Sequence, residues 1–121
     1  MITTPLPTPS HKRGDVVVLF PNSDLRTAKL RPALVVQANS LNTGLAQTVI
    51  AMITSKMFRA GPPSRVTVLL RSSEGQQSGL LTDSVVMTDN LATVANQAID
   101  RVIGRLPMAQ VDDALRGTLG L

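Results

Sequence analysis

Runs of β-branched residues cut short by turn residues constrain this chain more than any other feature. Gly14–Phe20 reads GDVVVLF, Arg31–Gln37 reads RPALVVQ, Thr48–Thr54 reads TVIAMIT and Arg65–Leu70 reads RVTVLL. Valine, isoleucine and threonine are stiff at χ1 and sit well on a pleated surface, so each run predicts a strand. The segments between them, PNSD, ANSLNTG and SKMFRAGPP, are rich in residues that pre-set or tolerate turn geometry. SSEGQQSG then reads as a loop, and SVVMT and LATVA as two further short strands split by Asp89 and Asn90. Several short strands joined by such turns predict a mainly β domain, a small closed barrel.

Beyond Pro107 the period changes. Met108, Val111, Leu115 and Leu119 recur at helical spacing with Pro107 at the first turn, which predicts a C-terminal helix over about residues 107–119. Its apolar stripe is expected to close the barrel or to bury against a second copy, as in a homodimer. At the other end, MITTPLPTPSHKR has no apolar core segment, so residues 1–12 are expected to form a flexible tail and residues 13–121 a single domain. His11 is expected to be solvated in that tail. The chain has no cysteine, which removes disulfides and thiolate metal sites and makes the cytoplasm the expected location. No apolar run reaches the ~20 residues of a membrane span.

Charge divides the chain. Residues 1–71 carry nine Lys/Arg against Asp15 and Asp24, while residues 72–121 carry three arginines against six acids. A basic half of this kind suits a polyanion. With no Trp or Tyr and only Phe20 and Phe58 as aromatics, a stacking platform of the kind that RNA-recognition and single-strand-binding folds use is not expected, and nucleic-acid contacts should lean on phosphates and hydrogen bonds.

There is no Gly-rich phosphate loop, no nucleophile elbow and no metal-ligand spacing, and the single histidine excludes a two-histidine mechanism within one chain. What remains is polar residues at strand ends. Arg31 opens the second run beside Pro32, which donates no ladder hydrogen bond and so belongs at a strand start or an edge. Thr54 and Ser55 close the third run, Asp89 and Asn90 follow the fifth, and Lys29, Lys56, Arg59 and Arg65 flank these ends.

Taken in order, RGDVVVLFP, DLRTAKLRPALVVQ, VIAMITSK, GLLTDSVVMTDNLATV and RVIGRLP resemble the MazF/PemK family of bacterial type II toxins over about residues 13–121. The resemblance implies an SH3-like β-barrel with a C-terminal helix, a homodimer, and metal-independent, sequence-selective cleavage of single-stranded RNA without a cofactor. It also implies a cognate acidic antitoxin that occupies the same groove. By motif position the catalytic pair is Arg31 and Thr54, with Asp89 and Ser55 as further catalytic or RNA-positioning candidates. Lys29, Lys56, Arg59, Arg26 and Asn90 are the candidate RNA contacts. A guanidinium suits such chemistry, because its rigid fork of donors can meet charge developing on phosphate oxygens.

The chain also departs from the family. Met87 stands where some relatives carry an arginine proposed as general acid, Ala92 replaces a common basic residue, and Asp24-Leu25-Arg26 replaces a Gly-x-Glu loop. Arg26 and Arg59 are the candidate substitutes. Two alternatives follow: a protein-binding gyrase poison like the CcdB toxins, which share the fold, and a catalytically weakened RNA-binding module.

Overall fold

Each of the four β-branched runs forms a strand in the computed structural model, which describes residues 11–21, 30–41, 43–61 and 63–121. They are β1 Asp15–Leu19, β2 Arg31–Val35, β3 Gln47–Thr54 and β4 Arg65–Val68. The two short runs predicted around Asp89-Asn90 are instead one long strand, β5 Ser84–Ala95, and a sixth strand, β6 Ile99–Arg105, follows it. All pairings are antiparallel, in the order β4-β5-β3-β2-β1-β6. The sheet has two edges, β4 and β6, that do not pair, so the closed barrel expected from the sequence is a curled open sheet. The fold is mainly β with a C-terminal helix, α2 Ala109–Leu119.

The sixth strand is hidden in the sequence for a physical reason. Its register against β1 slips between Val16 and Val17 and again between Val18 and Leu19. Each irregularity breaks the strand's period-2 alternation. The segment read as a loop holds a short helix, α1 Ser73–Ser78, capped by the Ser72 hydroxyl, which accepts from the Gly75 amide at 3.0 Å. This helix lies backbone to backbone on β6. A Cβ at Gly104 would come within 2.3 Å of the Ser78 carbonyl carbon, and one at Gly79 within 2.0 Å of the Ile103 oxygen.

Alternating side chains build two apolar layers. Val16, Leu34, Ala51, Ile53, Val68, Val86 and Leu106 face α2 through Val111. On the opposite face Val17, Ala33, Val35 and Ile50 cluster, with Leu19, Met52 and Val94 against them. Met108 and Leu115 of the α2 stripe pack on the first layer, and Val111 and Ala114 are buried there. The stripe is therefore covered by its own sheet and needs no second copy; only Leu119 at its far end is exposed. Arg13 fastens the helix, its guanidinium bonding the Val36 carbonyl at 3.0 Å and pairing with Asp112.

His11 is not solvated. It is 8% exposed, and its Nε2 lies 2.7 Å from the Thr48 hydroxyl, whose oxygen is 2.6 Å from the Asn96 carbonyl oxygen Oδ1. The single Thr48 proton goes to Asn96, so Nε2 of His11 must be the donor, which fixes the Nε2–H tautomer. Burial lowers the pKa of His11 below the ordinary 6.5, and the nearby Asp15 carboxylate opposes this without reversing it. With the folded pKa depressed, the unfolded chain takes up a proton first as pH falls. Stability conferred by neutral His11 is thus complete above 6.5 and declines below it. Urea melts between pH 7 and pH 5 should show this decline in the wild type, with a shallower slope for His11→Gln; equal slopes would mean His11 titrates as it does in the unfolded chain.

Candidate active site

Strand β2 is joined to its two neighbours over different lengths. Toward β1 the pairing runs from Val16↔Leu34 to Leu19↔Arg31. Toward β3 it covers Ala33↔Met52, Leu34↔Ala51 and Val35↔Ile50 and goes no further. The same register continues at the other end, where the Val36 amide donates to the Val49 carbonyl at 3.2 Å. Even-numbered residues of β2 therefore turn their amides toward β3, as antiparallel alternation requires. Pro32 is the next even residue at the mouth and has no N–H to offer Ile53. The proline ends the β2–β3 ladder while leaving β1–β2 intact.

Extending the β2–β3 register by two residues sets Arg31 opposite Thr54. Directly opposed residues on antiparallel strands have their Cβ atoms about 5 Å apart and point to the same side. That side is the face of Ala33, Val35, Ile50 and Met52. Arg31 is exposed, and its guanidinium has no hydrogen bond or ion pair with any described residue. The Thr54 hydroxyl is half-buried and accepts from the Lys56 amide at 3.1 Å. That bond occupies a lone pair and leaves the hydroxyl proton to donate outward, so Thr54 is set up as a donor rather than a base.

The chain after Thr54 extends the cationic rim. Ser55, Lys56 and Arg59 are all exposed, and Met57–Arg59 forms one 3-10 turn. Five arginines are held by acids: Arg13 by Asp112, Arg65 by Asp89, Arg101 by Asp100, Arg105 by Asp15 and Arg116 by Asp113. Among the described residues the cations left without a carboxylate are Lys12, Arg31, Lys56, Arg59 and Arg71. Three of these five stand at the β2–β3 mouth or on the segment leading from it. Arg26 and Lys29, together with Asp24, lie outside the described residues.

Asp89 reaches this region through an irregularity in β5. Its pairing with β3 jumps from Ala51↔Leu91 to Met52↔Met87, so Thr88, Asp89 and Asn90 bulge out of the ladder. Asp89 then grips Arg65 of β4 with two bonds of 2.9 Å each, and a third Arg65 nitrogen donates to the Arg59 carbonyl at 2.8 Å. The Arg65 hydrogen bonds hold the Asp89 carboxyl below the usual carboxylate range, against an opposing effect of burial. Asp89 is thus an ionised partner of Arg65 and no proton donor near neutral pH. Ser55 and Asn90 make no side-chain hydrogen bond with a described residue. Met87 is buried directly opposite Arg65.

Two residues matter more than their sequence context suggests. Arg65 reads as a flanking cation, yet it organises the rim; only the register, in which it faces Met87, brings it beside Asp89. Phe58 stands out in the sequence only as one of two scarce aromatics, and it proves to be 79% exposed on the turn after Thr54. Among the described residues no three His, Asp or Glu side chains converge as a metal site would require.

A curled antiparallel sheet with a capping helix, whose β2–β3 ladder stops short of an arginine without a partner among the described residues, defines a small β protein. The chain belongs to the family of PemK-like, MazF-like toxins of type II toxin-antitoxin systems, which matches residues 12–118. It is 30% identical to endoribonuclease EndoA of Bacillus subtilis, over 91% of this chain and 95% of that protein. It is 34% identical to endoribonuclease MazF6 of Mycobacterium tuberculosis, over 85% and 90% of the two chains. Among solved structures it resembles a mycobacterial endoribonuclease in complex with its cognate antitoxin, with a TM-score of 0.72, 23% identity and coverage of 93% and 97%.

The role given to Pro32 is open to a direct check. Pro32→Ala restores an amide aimed at the Ile53 carbonyl, and hydrogen exchange should find that amide protected nearly as well as Leu34. An amide at position 32 that exchanges as fast as an open loop would show that something other than the proline ends the ladder.

Proposed function

We propose that this chain is the endoribonuclease toxin of a type II toxin-antitoxin system, cleaving single-stranded RNA at the mouth between Arg31 and Thr54. The observation that supports the reading is that the β2–β3 ladder stops at Ala33↔Met52, just short of Arg31 and Thr54, and that Arg31, Lys56 and Arg59 have no carboxylate partner among the described residues. The names of its relatives, EndoA and MazF6, support the same activity.

In this reading the ribose 2′-oxygen attacks the adjacent phosphorus, the bond from phosphorus to the 5′-oxygen breaks, and a 2′,3′-cyclic phosphate and a 5′-hydroxyl result. The 2′-hydroxyl gives up a proton and the departing 5′-oxygen gains one. Negative charge builds on the non-bridging oxygens as the new bond forms. Arg31 meets that charge with its fork of donors, and Thr54 donates a hydrogen bond to one of the same oxygens. Asp89, ionised and bound to Arg65, cannot supply the proton. His11 is bonded to Thr48 at the other end of β3, six residues and about 20 Å of strand away from Thr54. Charge stabilisation, rather than a tuned acid–base pair, is what these residues offer. Ser55, Asn90 and the undescribed Arg26 and Lys29 are assigned to positioning of the RNA.

The antitoxin is read as an acidic segment that competes for this mouth, steered by the same unpaired cations. The working unit is read as a homodimer in the cytoplasm. No described helix is long and apolar enough to cross a membrane. A guanidinium without a partner among the described residues, next to a hydroxyl-bearing strand end, favours a nuclease over a protein-binding poison, which needs neither.

The purified protein should cut a long RNA in the presence of EDTA, and a single 2′-deoxy substitution at the cut site should abolish scission there. Cutting that survives the substitution would remove 2′-hydroxyl attack. Arg31→Lys keeps the charge and loses the fork, and should lower the single-turnover rate on the order of 10²-fold with the fold intact. Thr54→Val should also lower the rate, and Thr54→Ser should retain part of it. Asp89→Asn should cost about tenfold or less, through loosening of Arg65. A loss as large as that for Arg31→Lys would return Asp89 to the chemistry.

A further inference from the structure

The chain has two aromatic residues, and its apolar layers use neither. Phe20 and Phe58 are 52% and 79% exposed, while aliphatic side chains fill the interior. A phenylalanine left that open forgoes most of its burial free energy, so its position calls for a reason. Phe58 lies four residues beyond Thr54, within at most about 14 Å of chain. Its turn is held firmly for so exposed a segment. The Arg59 amide donates to Lys56 and the Ala60 amide to Met57, each at 3.0 Å, and Arg65 binds the Arg59 carbonyl at 2.8 Å. The Arg59 guanidinium lies 5.5 Å from the centroid of the ring.

We infer that Phe58 is a base-stacking and specificity residue, receiving an unpaired RNA base near the scissile phosphate. This rests on the nuclease reading and goes beyond it, because phosphate contacts alone carry no preference for single strands or for particular bases. A base stacks on a ring regardless of its edge, and only an unpaired base can leave its own stack to do so. Arg59 adds a cation–π contact to the ring and a positive charge for the neighbouring phosphate. Lys56 and Arg31 continue that charge back to Thr54. A ring flanked by free cations fits a nucleic acid better than an apolar protein patch, which would exclude them.

The experiment uses Phe58→Ala and Phe58→Trp in the full chain, which has no tryptophan of its own. Loss of a stacking contact corresponds to about 5- to 150-fold in affinity. Phe58→Ala should raise KM by a factor in that range with a smaller change in kcat, and Phe58→Trp should restore binding. The indole fluorescence of the Phe58→Trp variant should be quenched by mixed-sequence single-stranded RNA bearing 2′-O-methyl groups, which cannot be cut, and not by the same RNA as a duplex. An abasic site at the stacked position should weaken wild-type binding and leave Phe58→Ala nearly unaffected.

Unchanged KM in Phe58→Ala and unquenched indole fluorescence in Phe58→Trp would overturn the inference while leaving the nuclease reading standing if the wild type cuts RNA. Quenching and base-dependent binding by a protein that cuts nothing would uphold the inference and sink the nuclease reading. Phe58→Ala that converts a dimer to a monomer in light scattering, with RNA binding intact, would make the ring a protein contact and overturn it.

Discussion

Every backbone amide in the middle of a sheet has a carbonyl waiting for it, and a sheet opens where one is missing. In β2 the missing donor is Pro32. Its side of the strand faces β3, so the β1–β2 pairing persists to Leu19↔Arg31 while the β2–β3 pairing stops at Ala33↔Met52. A proline one residue earlier or later would have pointed its vacancy at β1 and unseated Arg31 itself. The parity of one residue thus decides that Arg31 is anchored from one side and open on the other. Opposite it, Thr54 ends β3 in a tight turn whose Lys56 amide fixes the hydroxyl.

The electrostatic arrangement follows the same logic of partnered and unpartnered groups. Most carboxylates in this chain are committed to an arginine, and those pairs are structural. Arg13–Asp112 ties the helix to the sheet, and Arg105 reaches the buried Asp15. The solvent-exposed pairs among the five contribute little stability individually, on the order of 0–1 kcal/mol. Their larger effect is subtractive: pairing removes positive charge from the rest of the surface and leaves it concentrated where no acid answers. Arg65 shows both sides of this. Neutralised by Asp89, it contributes little field, but with two nitrogens on one carboxylate and a third on the Arg59 carbonyl it becomes a bracket between β4, the β5 bulge and the turn.

The strands that the sequence discloses are those carried by contiguous β-branched and aliphatic runs, as β1 to β4 are. β6, IDRVIGR, interleaves charged residues and a glycine and shows no such run. Its two irregularities against β1 break any alternation as well, and the three-residue bulge at Thr88–Asn90 makes one strand look like two. Open edges are invisible for another reason: local patterns announce strands but say nothing of whether β4 meets β6. Arg31 and Thr54 are singled out by motif resemblance, and they become opposite only when the β2–β3 register is extended past its last pair, Ala33↔Met52. The partnership of Arg65 with Asp89, residues 24 apart, is not accessible, because it depends on a bulge with no sequence signature. His11 reads wrongly as solvated because a proline-rich neighbourhood outweighs a single side chain, and the Thr48 and Asn96 that bury it come from distant parts of the chain.

These features separate rigid parts from open ones along a single line. On one side lie two aliphatic layers, a helix fastened by Arg13, and glycines that let α1 touch β6 backbone to backbone. On the other lie Arg31, Lys56 and Phe58, exposed yet each carried by an element that cannot move far. Arg31 is held by β1, and the turn bearing Lys56 and Phe58 is held by Arg65. A flexible surface would have to be ordered upon binding, and each long side chain so ordered costs about 0.5–1.5 kcal/mol. Fixing the backbone beneath the exposed groups removes most of that cost before any partner arrives. The acid that forms the bracket, Asp89, therefore matters to the mouth through the backbone it immobilises, and the open ladder at Pro32 can remain open because the segments on both sides of it are held from elsewhere.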